Sequence, residues 1–543
     1  MRLIWLTTAM LTAAAPAGIS FRDISPRSGL NDVIVSGGPE KNYVLEVNGS
    51  GVCWLDYDDD GWMDLYLVNG ATLANLQGKA PQRSTNHLYR NNRDGTFTDV
   101  TVKAGVPGRG WGFGCVAADY DNDGRTDLFV SNFGENVLYR NKGDGTFADV
   151  TRRAGVGGGS IWHAGAAFGD FDQDGLLDLF VPGYLDFNIA NPEAKTCEHR
   201  GVMVRACGPL GYKGAPDTLY RNNGDGTFTD VTARARVADK GLYFGFQAVF
   251  EDFDNDGRPD LFVANDSNPN YLYRNKGDGT FDEVGVASGV AYSGDGKEMS
   301  SMGVAVGDYD GDGNMDLFIT TFSNDNYVLL HNDGGGLFTD VSYASGVGEP
   351  TVPYLGWATF FFDYDNDGLL DLFCANGHVF PEVDGGGRES YRQPLQLFRN
   401  VGKGKFRETT REVLRLPRQA ARGGAFADFR NNGRLGFAIS LMDAKPLLVE
   451  NGGESHGNWL RIELVGTKCN RDAIGARVRV SANGATQYAG RAAGGSYLSS
   501  NDPRLHFGLG TAAQCDVEVT WPGGRKQLVR AVQANRQIEI REQ

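Results

Sequence analysis

The sequence predicts an all-β chain: a seven-bladed β-propeller of four-stranded blades, followed by a small antiparallel β domain. Three observations lead there. A nine-residue acidic motif recurs seven times at intervals of 63, 51, 82, 56, 55 and 65 residues, about one blade with variable loops. Each copy lies between short runs rich in β-branched and aromatic residues, which read as strands. Glycine supplies 76 of the 543 residues, roughly twice ordinary usage, so turns are frequent, while 41% apolar residues suffice for a core. A chain this long needs several cores or a repeating fold.

The first element is a leader. Residues 1–17 carry one positive charge at Arg2, an apolar stretch from Leu3 to about Ala15 and an A-x-A-like site at Ala15-Pro16-Ala17, which reads as a Sec-type signal peptide. A secreted or periplasmic location is therefore expected. No later apolar run reaches the ~18–20 residues of a membrane-spanning helix, so no transmembrane segment is expected.

The propeller is expected over residues 18–452. In FRDISPRSGL, Phe21, Asp23, Ile24, Ser25 and Gly29 repeat the spacing of Phe97, Asp99, Val100, Thr101 and Gly105 in the second half of a full repeat. Seven first halves but six downstream second halves leave the last blade one strand short. Residues 21–25 should therefore pair beside 447–450 and close the ring.

Each blade reads as two hairpins. The first halves are DYDDDGWMD, DYDNDGRTD, DFDQDGLLD, DFDNDGRPD, DYDGDGNMD and DYDNDGLLD, with a degenerate seventh, DFRNNGRLG, from Asp428. The second halves, such as VLYRNKGDGTFADVT from Val137, place Asp-Gly or Gly-Gly between two alternating runs, a strong hairpin signal because a primed turn needs positive φ.

The nonapeptides carry the chemistry. A calcium-sized hard cation takes six to eight oxygens, and D-x-D-x-D-G-x-x-D supplies four carboxylates on a loop that glycine lets turn sharply. The expected ligands are Asp56, Asp58, Asp60 and Asp64; Asp119, Asp121, Asp123 and Asp127; Asp170, Asp172, Asp174 and Asp178; Asp252, Asp254, Asp256 and Asp260; Asp308, Asp310, Asp312 and Asp316; and Asp363, Asp365, Asp367 and Asp371. Position 7 varies freely, as suits a backbone carbonyl ligand. Position 2 is always aromatic, as suits packing between blades. The Glu expected at position 12 of an EF-hand is missing and the flanks are strands, so that reading fails. About six Ca²⁺ sites follow, with none at the seventh loop, where Arg430, Asn432 and Gly436 replace carboxylates and Arg430 would supply a fixed charge.

An irregular insertion at about 183–216 precedes the second half of the third repeat and holds Cys197 and Cys207, a candidate bridge. Cys469 and Cys515 form a second candidate couple, whereas Cys53, Cys115 and Cys374 read as buried thiols within strands. Residues 456–543 alternate polar and apolar residues and read as the small β domain. In it, Asn470-Arg471-Asp472 reads as a β-turn braced by its arginine before it reads as a recognition loop.

The repeats resemble the FG-GAP/VCBS repeats of the integrin α-subunit propeller, with Gly112-Phe113-Gly114 and Phe168-Gly169 carrying the Phe-Gly half of that name. A closer resemblance is to the cartilage acidic protein family and its bacterial relatives. It rests on FRDIS, on DYDDDGWMDLYLVNG, on the Cys197 to Tyr212 insertion, on NGHVFPEVD from Asn376, and on a C-terminus similar to the ASPIC/UnbV domain throughout: GNWLRIELVGTKCNRDAIGARVRV, GGSYLSSNDPRLHFGLG and VTWPGG. The resemblance implies an extracellular or periplasmic calcium-binding protein and carries over no catalytic residue.

For function, a formal charge of −16 argues against nucleic acid or an anionic membrane held by bulk attraction. The six loops hold 24 of the 68 acidic residues, and six Ca²⁺ would bring the charge to about −4, so the acidity says little about partners. No catalytic residue and no other cofactor stand out. G-x-S-x-G at residues 453–457 lacks the strand-turn-helix setting of a nucleophile elbow. His378, with Glu382 and Asp384 and the insertion loop, is a candidate ligand site, although it reads as a locally bonded loop histidine before it reads as a ligand residue. The favoured reading is a binding or adhesion scaffold for an extracellular protein or glycan. The alternative is a periplasmic polysaccharide hydrolase or lyase with acidic residues around the central channel.

Overall fold

A computed structural model describes residues 18–81, 84–453 and 457–543; residues 1–17, read above as a leader, and the central three residues of G-x-S-x-G fall outside the described residues. Seven antiparallel blades form the ring, six of four strands and the fourth with a short added strand, Met299–Ser300, on its second strand. Blade 1, from the channel outward, comprises Val52–Leu55, Asp64–Leu67, His87–Asn91 and Phe97–Asp99. Blade 7 comprises Ala421–Ala427, Gly436–Leu441, Leu447–Asn451 and, outermost, Phe21–Asp23. The closure read from FRDIS is borne out: Phe21 pairs with Asn451, Arg22 with Glu450 and Asp23 with Val449, antiparallel.

Blades join through two rings of contacts that the repeat encodes. The position 2 aromatic of each nonapeptide meets the phenylalanine of the next blade's outer strand: Tyr57 with Phe147, Tyr120 with Phe228, Phe171 with Phe281, and so on to Tyr364 with Phe21 and Phe429 with Phe97. The asparagine that ends each third strand donates from Nδ2 to the carbonyl of the preceding blade's position 2 aromatic, at 2.7–2.9 Å, in all seven interfaces. Aromatic burial supplies adhesion and the buried hydrogen bond fixes height.

Because strands alternate in direction, the nonapeptide loops lie on one face of the ring and the connections between second and third strands lie on the other. The insertion is on the latter face. It forms a hairpin, Thr196–His199 with Val202–Arg205, closed by a Cys197–Cys207 disulfide. Two cysteine readings are corrected. Cys53 and Cys115 are bridged, with Cα atoms 6.1 Å apart, because the inner strands of blades 1 and 2 set them at one height. Cys469 and Cys515 are unbridged: Cys469 lies in the turn after Asn458–Val465 and Cys515 on the strand Gln514–Thr520 of the other sheet.

The C-terminal domain has two sheets, one of three and one of four strands, around Leu460, Ile462, Val478, Phe507, Val517 and Trp521. From it a segment of residues 492–502 enters the central channel. Ser500 N–H donates to Val52 O (3.0 Å) and Trp54 N–H to Ser500 O (3.1 Å) in blade 1. Cys115 N–H of blade 2 donates to Leu498 O, and Leu498 N–H donates to Gln247 Oε1 of blade 4. Ser496 and Val304 of blade 5 exchange both backbone bonds, and Ser496 Oγ donates to Gly424 O of blade 7. The Tyr497 side chain is fully buried between Phe246 and Trp357 and donates to Asn48 O. The bore is filled by the chain's own C-terminal domain.

Candidate metal centres

All seven loops turn the same way. Position 1 accepts the N–H of position 5 on Oδ1 and that of the glycine on Oδ2, at 2.7–3.1 Å; Asp119 with Asp123 and Gly124 is one case. Glycine is needed at position 6, where φ is +80° to +93° in the six complete copies. Position 5 Oδ1 then accepts the N–H of position 7. Position 9, at the start of the second strand, accepts the N–H of the third-strand asparagine, as Asp127 does from Asn141 at 2.7 Å. In the first two loops, carboxylate oxygens of positions 1, 3 and 9 thus lie within 4.8 Å of one another, as in Asp119, Asp121 and Asp127.

An arginine of the third strand occupies the outer oxygens of positions 3 and 5. Arg140 donates to Asp121 (2.5 Å) and Asp123 (2.9 Å), and Arg221 and Arg399 do the same in their blades. The inner oxygens are left over: Oδ1 of Asp58, Asp121 and Asp172, and Oδ2 of Asp127, are buried without a hydrogen-bond partner. Burial, reinforced by neighbouring carboxylates, raises Asp119 and Asp170 to about 7, Asp260 to about 8 and Asp127 to about 9. Crowded, desolvated, acceptor-only oxygens of this kind fit a hard cation.

The seventh loop is neutralised differently from the sequence reading. Arg430 does not supply its charge, because it pairs with Glu450, which stands where five of the other blades carry arginine and blade 5 carries His331, so that ion pair is inverted. Asp428 instead meets Arg461 of the C-terminal domain at 2.5 Å, both buried. Sequence reading missed Arg461 because no local motif links residues 428 and 461.

Position 4 was also missed. Asp59, Asn122, Gln173, Asn255, Asn366 and Asn431 adopt φ of +51° to +60°, and five of them reach the next loop: Asn122 donates to Gly175 O, Gln173 to Gly257 O, Asn255 to Asn314, Asn366 to Gly433 O and Asn431 to Gly61 O. The signal was available, since asparagine and aspartate tolerate left-handed backbone. The same side chains receive the C-terminal domain. Arg471 N–H donates to Asn122 Oδ1 (2.7 Å), His506 Nε2 lies 2.7 Å from Asn366 Oδ1, and Arg477 reaches Asn255 and the Gly313 and Asp252 carbonyls. Asn470-Arg471-Asp472 therefore braces the domain on a loop, with Asp472 accepting Asp119 N–H at 2.9 Å. Between the loop face and the domain lies a cavity of about 1110 Å³ lined by Phe361, Leu370, Gln487, Tyr488 and Arg491 among others.

On the opposite face, His378 is buried and meets the insertion, but not through the residues read with it. Glu382 pairs with Arg205 and Asp384 accepts Tyr391 N–H. The neighbours of His378 are His199 of the hairpin and Glu389, which also takes His199 Nε2 at 2.6 Å. His378 Nδ1 accepts Phe380 N–H at 3.1 Å, so its proton sits on Nε2 and faces Glu389. The cluster fastens the insertion to the ring.

Comparison with known proteins gives FG-GAP-like repeats at residues 56–130, 119–181, 252–319 and 308–374 and an ASPIC and UnbV match at residues 466–543. The chain is 25% identical to human cartilage acidic protein 1 over 91% of its own length and 63% of that protein's. It is 30% identical to the Xenopus tropicalis protein over 88% and 62%. It thus spans a little under two thirds of these relatives. Among solved structures, a lectin of Agrocybe aegerita that recognises non-reducing terminal N-acetylglucosamine matches 79% of this chain and 96% of its own at 16% identity, with a TM-score of 0.39.

Proposed function

Because the chain carries FG-GAP-like repeats ahead of a C-terminal ASPIC/UnbV domain and is distantly homologous to cartilage acidic protein 1 over most of its length, we propose that it is an exported calcium-binding propeller that serves as a scaffold for an extracellular protein or glycan. The observation that carries the calcium reading is the set of buried, unpartnered carboxylate oxygens turned into the loops. Positions 1, 3, 5 and 9 of the six complete copies would hold the ions. Ca²⁺, when bound, supplies positive charge that cancels the repulsion within each loop. The chain's own residues do the rest: glycine turns the loop, arginine holds the outer oxygens, and position 4 couples neighbouring loops. Export is supported by the leader-like first 17 residues and by two disulfides in a chain with no other cysteine pairing among the described residues.

The scaffold reading is favoured over a polysaccharide-cleaving enzyme because the channel such an enzyme would use is filled by residues 492–502. The C-terminal domain covers the loop face, so the exposed presentation surface is the opposite face, with the disulfide-bonded insertion and its exposed Met203 and Leu210. Titration of chelator-stripped protein with Ca²⁺ tests the core of this reading. Six equivalents are expected, five for the double variant Asp121→Asn, Asp123→Asn, and chelation should lower the melting temperature. An unchanged stoichiometry in the double variant would refute the ligand assignment.

A further inference from the structure

One complete loop differs from the other five. Arg90, Arg140, Arg221, Arg274 and Arg399 of the third strands engage the position 3 carboxylates of blades 1, 2, 3, 4 and 6. Blade 5 carries His331 at that place, in VLLHN. Its Nδ1 lies 3.2 Å from Asp316 Oδ1 and 3.6 Å from Asp310 Oδ2, and is buried without a hydrogen-bond partner. Its Nε2 points the other way, 3.6 Å from Asp333 Oδ1.

A guanidinium has no lone pair and acts only as a counter-ion to the loop. A neutral imidazole with its proton on Nε2, the side of Asp333, instead offers a nitrogen lone pair toward Asp310 and Asp316, on the side where the sister blades place the guanidinium. Proteins orient a metal-binding histidine with a carboxylate on its far nitrogen, and Asp333 stands on that side, 3.6 Å away and short of a hydrogen bond. One ligand atom each of His331, Asp310 and Asp312 lie within 4.8 Å of one another, close enough to share an ion. Calcium takes oxygen ligands, whereas imidazole with carboxylate suits borderline transition ions. The blade 5 loop also lacks the arginine's fixed positive charge, which leaves more negative charge for a cation to neutralise.

We propose that the blade 5 loop is a mixed nitrogen and oxygen site, with His331 Nδ1 as an added ligand, that takes a transition divalent ion of the Zn²⁺ class in preference to Ca²⁺. This rests on the reading of the loops as cation sites. The test is a Zn²⁺ titration of chelator-stripped, full-length protein in saturating Ca²⁺, comparing wild type with His331→Arg, which restores the residue of the sister blades, and His331→Gln, which keeps neutrality without the ring. Wild type should bind one Zn²⁺ equivalent at least ten-fold more tightly than either variant, displacing one Ca²⁺. Substituting Co²⁺ should give a visible spectrum with nitrogen ligation that both variants lose. Equal Zn²⁺ affinity in all three proteins overturns the proposal while leaving six Ca²⁺ equivalents intact. Failure of the calcium reading would appear separately, as absence of Ca²⁺ binding in every protein.

Discussion

His163 shows how one buried side chain sets a pH dependence. It is about 1% exposed, near the start of blade 3's inner strand, with Nδ1 3.3 Å from Asn132 O. Burial lowers it from 6.5 to about 4. Between those values the unfolded chain takes up a proton that the native chain refuses, so stability falls as pH drops through the window and levels off below about pH 4. The shift corresponds to about 3 kcal/mol. His163→Asn, which can keep the bond to Asn132, should flatten the change in urea midpoint between pH 7 and 4.5, measured in saturating Ca²⁺. An unaltered slope would assign the pH dependence to other groups. At this scale the sequence was most legible where chemistry repeats: four aspartates at fixed spacing announce convergence. It was silent where a partner comes from far along the chain, as Arg461 does for Asp428.

Among the elements, the blade interface is the unit that matters. Asn222 donates from Nδ2 to Tyr120 O and Leu177 O at 2.9 and 3.0 Å, while its N–H serves Asp178. Asn222→Ala would leave two buried carbonyls unpaired, an expected loss of ~1–3 kcal/mol in urea denaturation. It should also weaken the proposed cation site of blade 3, to the extent that losing the side-chain anchor shifts the backbone N–H that orients Asp178. Normal stability with one weakened site would show that the hydrogen bond positions the loop without holding the blades. Strand identity, hairpin turns and the closing strand were all readable, because period-two runs, Asp-Gly turns and the match of Phe21 to Phe97 are local signals. The Cys53–Cys115 bridge was not, because the height at which neighbouring inner strands meet depends on blade packing. The irregular insertion could be located by its break in the repeat but not folded, since its hairpin takes its place from Glu382, Glu389 and Asn42 on other blades.

For the whole molecule, the C-terminal domain acts as lid and plug together, and the sequence showed only that such a domain exists. Gly51 makes the plug testable: a Cβ there would lie 1.6 Å from Leu498 O. Gly51→Val should therefore unseat residues 492–502 without touching a nonapeptide loop. Amide exchange at those residues is expected to rise sharply while Ca²⁺ stoichiometry stays at six. Retained protection would mean the inner strands yield instead. The filled bore also bears on how the chain assembles. Phe21–Asp23 must wait for Leu447–Asn451 before its sheet exists, and the inner strands gain their last partners only when Ser496–Ser500 arrives, more than four hundred residues after Val52. Both fastenings are contacts of very long sequence separation, which form slowly. The ring should therefore dwell in an open, unlocked intermediate until nearly all of it has been made, and the proposed export would draw on that delay by keeping the polypeptide threadable.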